Sequence, residues 1–263
     1  MNLCLLNAVC FDIDNVFDVY SQKLKDEGVA VADLPSIRMP YNVMWFEYKS
    51  FGREYQNEAR KIMGNYNKRI GVLFVENKES EERYTALIFG FVEMEGSKGI
   101  GLTGWWEIQY TKMGDMIPGI TCAKGEGERD ILDAGGFIKN SLTWFMIIPF
   151  AAISFMHCKN VEILSKEVPS KLQEARKKRG KRPLVTIKVL EIKPVVRILK
   201  EEGEIDSKGL KYALHLCRGH FKDFSKGLGL FGKYKGLYWW EAQARGKISK
   251  GVVLKDYKLS PGK

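Results

Sequence analysis

Residues 69–94 read RIGVLFV-ENKESEER-YTALIFGFVEM, two apolar runs rich in β-branched and aromatic side chains on either side of a charged, polar connection. Runs of this length and composition are strand signals, and a polar linker of this size makes an antiparallel hairpin the simplest way to join them. Gly90 interrupts the second run and marks a candidate bulge, because a residue without a side chain weakens a strand where register changes. Downstream, Trp105–Tyr110 (WWEIQY) predicts a third strand that extends the sheet antiparallel. Gly99, Gly101 and Gly104 match G-x-G-x-x-G by spacing. A strand rather than a helix follows them, so no helix N-terminus is offered to a pyrophosphate, and the glycines predict a hairpin turn.

Working outward, residues 41–48 (YNVMWFEY) predict a further strand, and residues 52–67 a loop or short helix. Residues 5–26 place Leu5, Val9, Ile13, Val16, Phe17 and Tyr20 at helical spacing ahead of Gly28, which predicts a helix packed on the sheet. From Glu128 to His157 the pattern predicts helix, first acidic and then apolar through LTWFMIIPFAAISFM (142–156), with a core helix near 136–157 bent at Pro149. The apolar run falls short of the roughly 20 residues that span a bilayer, so a buried helix and no membrane partner are expected. His157 reads as a satisfied helix-terminal histidine. Val161–Leu164 predicts a short buried strand.

Charge divides the 263 residues unevenly. Residues 166–263 carry 25 Lys/Arg against 10 Asp/Glu, and residues 1–165 carry 17 against 22, within a total of +10. A mildly acidic part, 1–165, and a basic part, 166–263, follow, as two domains or one continuous domain. Five cysteines, odd in number and never in C-x-x-C spacing, suggest neither a disulfide framework nor a zinc ribbon, and the expected compartment is a reducing cytoplasm. The fold class expected is α+β, a mainly antiparallel sheet packed against helices, with a basic C-terminal half.

Two basic features carry the functional reading. In residues 166–184 (KEVPSKLQEARKKRGKRPL), Ser170 is a candidate N-cap for a helix that ends in cations before Gly180 and Pro183. Arg176, Lys177, Lys178, Arg179, Lys181 and Arg182 are its candidate phosphate contacts, since cations supply affinity without sequence choice. Strand 185–192 (VTIKVLEI) and the acidic loop 201–209 then lead to ALHLCRGHFKDFSKGLGLFGKYKGLYWWEAQARG, 213–246.

In that stretch, strand alternation sets His215 and Cys217 against Leu214, Leu216, Arg218 and His220. His215 and His220 are thus opposed, and no metal site is expected. Arg218 beside His220 is the minimum equipment for metal-independent RNA cleavage, with Asp223 or Glu241 to orient or replace the histidine; a clasp of buried hydrogen bonds is the plainer alternative. Gly227, Gly229, Gly232 and Gly236 permit tight turns, Lys233 and Lys235 flank Tyr234, and the loop is a candidate phosphate cradle with Tyr234 as a base-stacking ring. Of Trp239 and Trp240, period two assigns one to the core, taken as Trp239, and the other outward.

HLCRGHF, then GLFGKYKG, then YWWEAQARG resembles a C-terminal signature, H-x-x-R-G-H-aromatic followed by a glycine and a Trp strand, of uncharacterised phage and prophage proteins. That family is related to a type V-A anti-CRISPR protein that suppresses production of its CRISPR nuclease. His215, Arg218, Gly219, His220 and Trp240 carry the match. LSKEVPSKLQEARKKRGKRPLVTIKVLEI (164–192), LPSIRMPYNVMWFEY (34–48) and RIGVLFVE (69–76) are loosely similar, while GLFGKYKG departs from that relative's loop. The resemblance implies a phage origin, action in the bacterial host cytoplasm, and an RNA or ribonucleoprotein partner. The expected function is a regulatory or anti-defence protein binding RNA or a translating complex, without a cofactor. A metal-independent ribonuclease and a module binding a host or defence-system polypeptide are the alternatives, and the oligomeric state is open.

Overall fold

The hairpin around residues 76–83 closes as its alternation predicts. A computed structural model of the chain describes residues 7–17, 19–20, 34–49, 66–78, 80–94, 100–124, 128–132, 143–195, 198, 213–217, 219–241, 243–245 and 247–253. Strands β3 (Tyr66–Lys78) and β4 (Arg83–Met94) pair antiparallel from Lys78–Tyr84 outward, and β5 (Ile100–Thr111) pairs antiparallel with β4. The bulge falls at Gly90: Gly90 faces Gly104 and Phe91 faces Leu102, so the extra residue, Thr103, lies on β5. Gly101 and Gly104 are therefore strand residues, not the turn expected of them.

By packing, the chain forms two units, Met1–His157 with Val161–Glu191, and Cys158–Asn160 with Ile192–Lys263. The first is built on a nine-stranded sheet of order β7-β6-β5-β4-β3-β2-β1-β9-β8. It adds β1 (Val9–Asp12), β2 (Val43–Tyr48), β6 (Met116–Lys124), β7 (Glu128–Leu132), β8 (Val161–Lys166) and β9 (Ile187–Ile192). From β2 to β7 the pairs are antiparallel, but β1 runs parallel to both β2 and β9, so the sheet is mixed. With its helices, the protein is a mixed α/β fold dominated by strands.

Two helix expectations are corrected here. Val9–Asp12 is a strand at the parallel centre of the sheet, which interrupts the expected helix: residue 7 is helical before it, and helix α1 follows it, with residues 14–17 and 19–20 helical. The apolar positions 9, 11 and 13 fit a period of two as well as a helical one, and pairing on both sides decides between them. Phe11 and Ile13 are buried, while Cys10 and Asp12 turn to the other face. Likewise Glu128–Leu132 is strand β7, joined to β6 with Lys124 opposite Glu128. The core helix is α2, Thr143–Met156, with Pro149 inside it, and residues 136–142 of the expected span lie outside the described residues.

Packing explains α2. From Met146 to Phe155 every residue is buried, and Phe74, Phe46 and Phe11 form an aromatic row beneath it, with Phe150 edge-on to Phe74 at 5.2 Å between ring centroids. Ser154, the buried hydroxyl of the helix, donates to Ser36 O at 2.6 Å, and His157 Nε2 lies 2.7 Å from Arg38 O, the terminal histidine satisfied as expected. No helix among the described residues is long and apolar enough to cross a membrane. Strand β8 forms as expected but is half-exposed rather than buried, because it is the outermost strand of its side of the sheet.

The second unit contains β10 (Ala213–Cys217) between β13 (Gln243–Arg245) and β14 (Lys247–Val253), and the antiparallel pair β11 (His220–Asp223) and β12 (Leu237–Trp240). Buried Asn160 organises it. Its side-chain amide donates to Lys193 O (2.7 Å) and Trp239 O (2.9 Å), and its Oδ1 accepts from Trp239 N (3.0 Å). Backbone bonds from Lys159 N to Leu237 O and Lys193 N to Asn160 O complete the seam. Neighbouring Cys158 is 4% exposed, and burial pushes its thiol up to about 12. At pH 8, iodoacetamide is therefore expected to leave Cys158 unlabelled in the native protein and to label it fully in urea; peptide mapping that finds native-state labelling would contradict the burial.

Candidate nucleic-acid interface

Helix α3, Ser170–Lys178, has no buried residue. Pro169, not Ser170, occupies the N-cap, and no side chain caps the helix there; Ser170 is already helical, so its hydroxyl is not placed before the first turn. The other end is built as the sequence predicts. Gly180 takes φ +64, Gly180 N donates to Lys177 O, and Lys181 N reaches back to Arg176 O, a Schellman stop that glycine accommodates without strain.

Two side-chain contacts fold the chain back along the helix. Gln173 both donates to Leu184 O (2.7 Å) and accepts from Leu184 N (2.9 Å), and Arg176 Nε donates to Arg182 O (2.9 Å). The result is a fixed arm rather than a tail. Lys177, Lys178, Arg179, Lys181 and Arg182 are exposed and Arg176 half-buried, and none of them forms a salt bridge with a carboxylate among the described residues. Cations in the last turn also complement the helix dipole, so their clustering costs the helix little.

The central stretch is divided. Gly219 separates β10 from β11, so His215 and His220 lie in different sheets: His215 is opposite Arg245 and Val253, and His220 opposite Trp240. Arg218 and the side chain of His215 lie outside the described residues. His220 is half-buried. Asp223 Oδ1 accepts from Ser225 N at 2.8 Å, and these hydrogen bonds hold its carboxyl below the ordinary value, a turn-closing role. Burial raises the carboxyl of Glu241, which is partly enclosed after β12. No group of three or more His, Cys, Asp or Glu able to hold a metal occurs among the described residues.

All four loop glycines are left-handed, at φ +75 (Gly227), +81 (Gly229), +70 (Gly232) and +114 (Gly236), which is the conformational demand their spacing predicts. The turn closes by reciprocal backbone bonds between Leu230 and Tyr234. Tyr234 packs against a small cluster of Val195, Tyr238 and Trp240, with Lys233 Nζ 5.2 Å from its ring centroid. The loop's exposed apolar groups are instead Leu228 and Phe231, the latter a non-glycine at φ +54. Lys233 and Lys235 are respectively exposed and accessible at the same turn.

Trp239 is buried as expected, edge-on to Phe221 at 4.8 Å. Trp240 is buried too, contrary to its expected exposure: strand alternation does send it to the other face, but Tyr238 and Val195 cover that face and Lys222 Nζ lies 4.3 Å from its ring.

Sequence reasoning overlooked a second locus, a cavity of about 340 Å³ over the parallel centre of the sheet. Register sets Cys10 beside Trp45 and Ile187, and Asp12 beside Glu47, on the face away from Phe11 and Phe46. The alternation of VMWFEY could have assigned Trp45 and Glu47 a common face, but nothing local identifies β1 as their neighbour. Burial and Glu47 together raise the Cys10 thiol, which keeps it protonated and unsuited to act as a nucleophile. No protein-family model, curated protein or solved structure matches the chain.

Proposed function

We propose that the protein binds single-stranded RNA, alone or within a ribonucleoprotein complex, as a regulatory protein whose main contact is the arm formed by α3 and residues 179–184. One observation carries this reading. Seven Lys/Arg between Lys171 and Arg182 stand against a single carboxylate, Glu174, on a helix that contributes no buried residue and on the segment that follows it. A cationic surface outside the core, stapled into shape by Gln173 and Arg176, is suited to a row of phosphates. Lys233 and Lys235 on the glycine loop offer a second, independent set of phosphate contacts, with exposed Phe231 near them for stacking. The basic balance of residues 166–263 agrees with this use. The anti-defence setting is supported by the likeness of residues 213–246 to the phage signature.

The reading is tested by measuring binding of a fluorescent uridine 12-mer across a salt series. Replacing Lys177, Lys178 and Arg179 by Ala is expected to lower affinity roughly 10- to 100-fold and to flatten the slope of log K against log salt by about 2, since each phosphate neutralised on a single strand contributes about 0.7. Affinity that ignores salt, or that survives the triple substitution, overturns it.

A further inference from the structure

The cavity on the sheet face adjoins the arm in the chain. Leu184, Val185 and Ile187, exposed at 38%, 55% and 41%, form one apolar wall, and Trp45 stands among the other lining residues. Arg182 precedes Leu184 by two residues, at most about 7 Å of chain. An indole with an aliphatic wall makes a slot for a flat ring, and about 340 Å³ is at the small end of ligand sites.

The charged lining decides what the ring must carry. Asp12, Asp14 and Glu47 are set against Lys166 (3.5 Å from Asp12), Lys49 (3.9 Å from Asp14) and Arg69 (2.8 Å from Glu47), and Arg69 also lies 3.6 Å from Glu93. Of these only Asp12, Asp14, Glu47, Lys49 and Arg69 line the cavity, three carboxylates against two cations that are both ion-paired, so among the described residues the lining has acceptors in excess. An anionic group is disfavoured inside; N–H donors are favoured. The unpaired cations are outside, on the arm.

We propose that this cavity holds one unstacked base of the bound RNA, with guanine preferred, while the arm holds the adjoining phosphates. Guanine presents N1–H and its exocyclic amino group side by side, a pair that one carboxylate accepts together, and Glu47, whose Oε1 already takes Arg69, supplies that carboxylate. Trp45 supplies the stacking surface. Uracil, with one ring N–H and no amino group, satisfies the site poorly. This assignment rests on the RNA reading of the arm and adds a sequence preference to it.

The test compares a uridine 12-mer with the same oligomer carrying one central guanosine, by fluorescence anisotropy, and titrates guanosine monophosphate by calorimetry. The wild type is expected to prefer the guanosine oligomer about 10-fold. Glu47→Gln, at an exposed ion pair and close in shape, is expected to reduce that preference to within about 2-fold, whereas Trp45→Leu, which removes a stacking face open to any base, is expected to weaken binding of both oligomers. Equal binding of both oligomers by the wild type overturns the cavity assignment and leaves the RNA reading standing. Guanosine monophosphate binding that Glu47→Gln abolishes, with neither oligomer bound, overturns the RNA reading and keeps the base site. No binding of any probe overturns both.

Discussion

Asn160→Leu is expected to unfold the second unit at temperatures where the wild type is intact, with a loss of about 3–5 kcal/mol. The substitution is close to isosteric, so the effect is not a cavity. It removes two donated bonds and one accepted bond from a side chain that is 1% exposed, and takes this partner from Trp239 O and Trp239 N in the core and from half-buried Lys193 O. Each buried polar group stranded in this way costs about 1–3 kcal/mol, and the three are not fully additive because they share one seam. Asn160→Asp sharpens the point. It keeps an acceptor for Trp239 N but turns a carboxylate toward two carbonyl oxygens. The folded-state pKa of that Asp is raised above its unfolded value, so its stability contribution is present at low pH and lost as pH rises through the folded pKa. The Asp variant should therefore be measurably more stable near pH 4 than near pH 7, relative to wild type. Hydrogen exchange over residues 220–240, together with urea denaturation, reads both variants. A loss under 1 kcal/mol for Asn160→Leu would show that the seam does not depend on this amide.

The same residue shows where sequence reasoning stops. Asn160 sits in CKNVE, with no local sign that a strand nearly 80 positions later needs its amide. By contrast the β3–β4–β5 meander was legible, because each pair is adjacent in sequence and alternation plus a polar linker determine it. Strand β1 was not: its partners are β2, more than 30 residues on, and β9, more than 170 residues on, and its apolar spacing fits helix and strand alike. The candidate site divides in the same way. Arg176–Arg182 form a run of six cations broken only by Gly180, so their clustering was visible as charge. The cavity draws on residues 10–14, 45–49, 69 and 184–187, and only the fold brings those together. Trp240 failed for a third reason. Alternation gave its face correctly, but whether that face is wet depends on Val195, which no pattern near residue 240 reveals.

Gly71 provides the second large effect, and it bears on the cavity. A Cβ built on Gly71 would lie 2.3 Å from Trp45 Cζ2 and 2.4 Å from Cη2, far inside contact distance. The indole is a rigid bicycle whose position is also set by Phe91, 5.5 Å away between ring centroids, so it has no flexible end to swing aside. Gly71→Ala would ordinarily gain up to about 1 kcal/mol in a strand, because glycine has more backbone entropy to lose. Here overpacking at about 1–3 kcal/mol, and more for so close an approach, is expected to win, giving a net loss of about 2–3 kcal/mol in urea denaturation. The cause is tested by coupling rather than by the single variant. Trp45→Leu removes the ring that Cβ would strike, so in the Trp45→Leu background Gly71→Ala should become neutral or slightly stabilising, an interaction energy of about 2–3 kcal/mol between the two positions. Strict additivity within about 0.5 kcal/mol would mean that Gly71 is needed for some reason other than the indole. If the coupling is found, the glycine is what lets Trp45 lie flat on the sheet, and a bulkier residue at position 71 should abolish guanosine preference in the RNA assay even in protein that remains folded.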